Sequence, residues 1–143
     1  YSYHIYHRKN PFLEDVSWYY PYPLDLKMMN AAADLFKGKH DFTSFSKKHT
    51  QVFTNDCTIE HAIWMQRGEE MVFKVSGNRF LRGMVRALVG TMVRVGRGKI
   101  SLSDVKKILE ARDNSNTDFS APAHGLFLEE VLYPSELQHH LSN

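Results

Sequence analysis

Between Gly77 and Arg97 the chain carries five arginines, Arg79, Arg82, Arg86, Arg94 and Arg97, and neither a lysine nor an acid. Placed at about 100° per residue, these arginines fall within about 60° of one direction, together with Gly83 and Gly90. Phe80, Leu81, Met84, Leu88, Met92 and Val95 fall on the far side. A helix this two-sided is stable only when its apolar side is covered by another element. The segment therefore predicts a helix from Phe80 to about Val95 lying on a sheet or on other helices.

The strands that could cover it stand on either side. Cys57 to Gln66 and Met71 to Ser76 alternate as half-buried strands, and Arg67-Gly68-Glu69-Glu70 is short enough to join them as a hairpin. At the start, Tyr1, Tyr3 and Ile5 alternate with Ser2, His4 and Tyr6, again with strand period. That strand starts at the first residue, from which we expect a preceding segment. Residues 11–23 mix prolines with aromatics and read as a loop. Asp25 is an acceptable N-cap for a helix to about Lys37, which Gly38 stops. Asp41 to Thr50 has no sustained period, holds Lys47 and Lys48, and reads as a functional loop. Ser101-Leu102-Ser103-Asp104 resembles a capping box opening a shorter helix, and Leu126 to Leu132 reads as a closing strand. The expected class is α+β: an antiparallel or mixed sheet with the helices packed on one face and the other face lining a cleft.

Composition sets limits on function. With 143 residues and 43% apolar content, one substantial core is the default. No run approaches the roughly 18 apolar residues of a membrane helix, and a lone Cys57 forms no internal disulfide, so we expect a cytoplasmic protein with no membrane partner. The eight histidines are scattered and have no cysteine partners at zinc spacing, so no metal is expected. A net charge of +2 means that any nucleic-acid site must arise from local clustering.

The arginine stripe is such a cluster, and it admits three readings. It could be a solvated basic face. Without an acid at i+4 inside the helix, its guanidinium groups could instead meet phosphates, or a carboxylate brought from elsewhere, both of which suit bidentate contact. Tyr1, Tyr3, Phe42 and Phe45 could stack on unpaired bases. Two glycines among the arginines would let another backbone approach closely, at about 1 kcal/mol of helix propensity each. On these residues alone the chain reads as an RNA-binding module, or as a dimerisation domain whose arginines pair across an interface with Glu129 and Glu130.

Four motifs in order carry a resemblance. Tyr1-Ser2-Tyr3-His4-Ile5, Gly38-Lys39-His40-Asp41-Phe42-Thr43-Ser44-Phe45, Phe80-Leu81-Arg82-Gly83-Met84-Val85-Arg86 followed by Leu88-Val89-Gly90, and Gly125-Leu126-Phe127-Leu128 span almost the whole chain. Together they resemble the C-terminal domain of TruA-type tRNA pseudouridine synthases. The resemblance implies one half of the pseudouridine synthase fold and a homodimeric enzyme without cofactor or metal. Its substrate would be uridines on the 3′ side of the tRNA anticodon stem-loop. It further implies a catalytic aspartate in a Gly-Arg-Thr-Asp-Ala-Gly segment of an N-terminal domain. These residues contain no such segment, so the chain alone is expected to be inactive.

By the same resemblance, Arg86 pairs with that aspartate, Tyr1 packs against the target base and Leu126 walls the pocket. Asp41, Phe42 and Phe45 shape the loop beside the cleft, Asp41 as a loop cap or a substrate contact. Lys47, Lys48, Arg79 and Arg82 are candidates for the tRNA backbone, Arg82 departing from residues found elsewhere in the family.

Overall fold

A computed structural model describes residues 1–47 and 54–129. The elements are β1 (Ser2–Tyr6), β2 (Trp18–Tyr19), α1 (Leu26–Phe36), β3 (Gly38–Asp41), β4 (Asp56–Arg67), β5 (Glu70–Gly77), α2 (Met84–Gly96), α3 (Leu102–Ala111) and β6 (Leu126–Phe127), with a 3-10 turn at Thr43–Phe45. The sheet runs β2-β1-β5-β4-β3, and β6 also pairs with β1. All pairings are antiparallel except β1 with β2, so the expected mixed α+β sheet is what forms.

The hairpin supplies the frame. Trp64 faces Phe73 across β4 and β5, their rings stacked at 5.0 Å, and Phe73 faces Tyr3 across β5 and β1. These rings lie on one face, which α2 covers: the Trp64 indole Nε1–H donates to the Met92 sulfur at 3.3 Å. α1 buries Met29, Ala32, Ala33 and Phe36, the spacing of one helical face. Beyond Ile59, β4 has no strand on its outer side among the described residues. There Asn30 of α1 pairs with both main-chain polar groups of Trp64, at 2.8 and 3.1 Å. α3 leans on α1 and on the 3-10 turn.

Local punctuation acts as the sequence reads. Asp25 accepts from the Met28 amide, and Ser101 and Asp104 form both hydrogen bonds of a capping box.

The arginine helix differs from expectation in two ways. It begins at Met84 rather than Phe80, because Gly83 lies at φ +73°, a left-handed conformation that no right-handed helix contains. Arg79 and Arg82 are therefore not on the helix, and their alignment with Arg86 on a wheel has no structural counterpart. The helix is also not a surface helix: of its residues only Arg86 and Arg94 are not buried. The side expected to face solvent or RNA is covered by the segment around Asp118. A Cβ on Gly90 would lie 2.8 Å from the Asp118 carbonyl oxygen, so Gly90 does admit another backbone.

Two short strands were not expected: β2 falls in the stretch read as a loop, and β3 runs from Gly38, read as a helix stop, to Asp41, read as the start of a loop. The closing strand covers only Leu126–Phe127 of the described residues, and its expected continuation from residue 130 lies outside them. Among the described residues no helix is long and apolar enough to cross a membrane.

Candidate active site

Arg86 stands in the first turn of α2 and is half-buried. Its guanidinium donates from Nε to the Ala121 carbonyl at 2.6 Å and from Nη2 to the Phe119 carbonyl at 3.1 Å. Both acceptors are neutral, and among the described residues no carboxylate lies within ion-pair distance. A guanidinium has five N–H donors in a rigid fork. Two are spent on orientation, and the full positive charge is left for a partner that the described residues do not supply.

The segment that holds Arg86 meets the first strand. Tyr3 is completely buried on β1 and its hydroxyl donates to the Pro122 carbonyl at 2.6 Å. Burial pushes that hydroxyl well above the usual tyrosine range, while the charge of Arg86 pulls the other way. Leu126 of β6 lies opposite Tyr3 and is half-buried. Tyr1, two residues before Tyr3 on the same face, meets Phe80 edge-on at 5.1 Å and keeps part of its surface open. Arg86 is thus linked through Ala121 and Pro122 to Tyr3, which has Tyr1 two residues before it and Leu126 opposite it.

Lys47 is exposed, its amide donates to the Arg82 carbonyl at 2.9 Å, and its ammonium lies 5.4 Å from the centre of the Phe119 ring. Arg82 is exposed, and Arg79 donates to the Thr54 carbonyl at 2.7 Å. Lys48 lies outside the described residues. Of the remaining stripe, Arg97 is stacked 4.1 Å over the Tyr22 ring, a cation–π contact within the fold.

Other candidates take structural places. Phe42 and Phe45 are fully buried and pack with Phe36, so neither they nor Tyr3 offers a ring face to a base. Asp41 accepts from the amide and the hydroxyl of Thr43, the loop-capping arrangement, with Arg112 at 3.8 Å. The residue of that motif which is tied to the segment holding Arg86 is Ser44. Its carbonyl accepts from the Thr117 hydroxyl and its Oγ accepts from the Asp113 amide at 3.0 Å, so it anchors the segment that leads to Phe119. A buried serine between two aromatics was the only signal, and it does not distinguish an anchor from a filler. Glu129, assigned to an interface under the dimerisation reading, instead pairs with Lys74 of its own chain at 3.1 Å; Glu130 lies outside the described residues.

Two concavities of about 550 and 520 Å³ are lined without Arg86, one by Lys39, Asp41, Lys106 and Arg112, the other by Tyr6, Trp18, Tyr19 and His124.

A family model described as tRNA pseudouridine synthase matches residues 32–134. The chain belongs to the tRNA pseudouridine synthase family. Proteins named tRNA pseudouridine synthase A resemble it closely. That of Porphyromonas gingivalis is 48% identical over 139 residues, covering 96% of this chain and 55% of the relative. That of Bacteroides fragilis is 47% identical over 138 residues, covering 96% and 55%, and that of Parabacteroides distasonis 44% over 137 residues, covering 96% and 54%. The chain spans about half the length of the curated relatives it matches. In this member of the pseudouridine synthase family Arg86 is held by the carbonyl of Ala121, and the next carbonyl, that of Pro122, is held by Tyr3.

Proposed function

We propose that the protein of which this chain is a part converts uridine to pseudouridine in tRNA, on the 3′ side of the anticodon stem-loop. In that isomerisation the bond from C1′ to N1 of uracil breaks, a bond from C1′ to C5 forms, the proton on C5 leaves, and N1 takes up a proton. Atoms and electrons balance without a redox partner.

The single observation that carries the reading is Arg86, aimed by two carbonyls and neutralised by neither. A guanidinium so placed would keep an aspartate ionised and fix its orientation. That aspartate would come from a preceding domain, and the chain alone would be inactive. Tyr1 would pack on the target base and Leu126 would wall the pocket. Lys47, Lys48, Arg79 and Arg82 would meet the tRNA backbone. The enzyme would act as a cytoplasmic homodimer.

The test is to treat unmodified tRNA transcripts with the whole protein and, in parallel, with this chain, and to map pseudouridine by carbodiimide-dependent reverse-transcription stops. Stops confined to the anticodon arm, and only with the whole protein, are the expected result. Binding of tRNA without any modification by the whole protein would favour an RNA-binding module instead.

A further inference from the structure

The carbonyls that aim Arg86 belong to a segment with no helix or strand of its own, residues 118–122. Loop backbone does not fix its own carbonyls, so the accuracy of Arg86 depends on what pins that segment. One pin is the close packing of Asp118 on Gly90, and another is the tie from Thr117 to Ser44. On the far side of Arg86 the pin is Tyr3, whose hydroxyl holds Pro122 at 2.6 Å, the residue directly after Ala121. Tyr3 sits on β1, hydrogen-bonded to β5 on one edge and to β6 on the other, and is completely buried, so its hydroxyl is as fixed as the sheet. Burial also keeps that hydroxyl protonated and therefore a donor.

We propose that Tyr3 is a positioning residue for Arg86: through the Pro122 carbonyl its hydroxyl sets the Ala121 and Phe119 carbonyls that orient the guanidinium, leaving the other guanidinium N–H groups for an anionic partner. The catalytic part of this inference rests on the function proposed above. The tyrosine ring is needed for the core, and the hydroxyl is needed for the aim.

Tyr3→Phe in the whole protein removes only the hydroxyl. Misplacement of a reacting group by about 1 Å costs on the order of 100-fold in rate, so kcat on tRNA is expected to fall ~10- to ~100-fold with KM changed less than ~2-fold. A second readout needs no activity: the Arg86 Nε–Hε resonance, assigned by its loss in Arg86→Lys, should shift or broaden in Tyr3→Phe. An unmoved resonance, or a kcat equal to the parent in an active enzyme, overturns the proposal. If the parent protein makes no pseudouridine, the function proposed above fails, while the resonance still decides whether Tyr3 aims Arg86.

Discussion

Arg86 and Ala121 are joined by a 2.6 Å hydrogen bond between a charged side chain and a main-chain carbonyl 35 residues away in sequence. The bond orients the guanidinium without discharging it, which distinguishes a poised arginine from one that merely ties two elements together. The carbonyl reaches that position because α2 presents Gly90 to the passing backbone at Asp118.

Gly90→Ala tests that passage. Alanine is the better helix former by about 1 kcal/mol, so an open helix face would gain stability. Here the new Cβ would stand 2.8 Å from the Asp118 carbonyl oxygen, and overpacking of this kind costs ~1–3 kcal/mol. A net loss of stability in urea unfolding is expected, and a net gain would show that the segment yields freely.

The capping box makes a pH-dependent contribution. Hydrogen bonds from Ser101 hold the Asp104 carboxyl below its ordinary value of 3.8, its main-chain amide contributing most. With the folded value lower than the unfolded one, the stabilisation is full above the unfolded value and is lost as pH falls through the folded one. The difference in melting temperature between the parent and Asp104→Ala should therefore be constant near neutrality and narrow as pH drops below about 4. A gap that does not change with pH would mean that the carboxylate is not what the cap uses.

These local devices are the part of the fold that was legible in the sequence. Asp25, Ser101 and the turn at Gly68 work through residues three or four apart, and alternation shows which side of a strand is buried. The start of α2 was not legible, because a helical wheel measures direction and is blind to the backbone of Gly83. The burial of Tyr3, Phe42 and Phe45 was hidden for a similar reason: an aromatic beside basic residues suits a stacking surface and a core equally. At the site, the absence of acids near Arg86 was visible, but its partners are carbonyls, which any residue type provides. Ser44 and Tyr3 act through such carbonyls and left no compositional trace.

Lys47→Ala combined with Lys48→Ala should weaken tRNA binding. If both meet phosphates, the slope of log K against log salt should fall in magnitude by roughly 1 to 2, and the affinity gap to the parent should shrink as salt rises. Filter binding across a salt series measures it. An unchanged slope would confine Lys47 to its contact with Phe119.

The most direct test of the role given to Arg86 is tritium release from tRNA labelled at carbon 5 of uridine, comparing the whole protein with its Arg86→Ala variant at matched tRNA occupancy. The side chain is only half-buried and its acceptors can take water, so the variant should fold and bind tRNA with little change. Release should fall to background. Release at the parent's rate would contradict the assignment of Arg86 as the partner of the catalytic carboxylate.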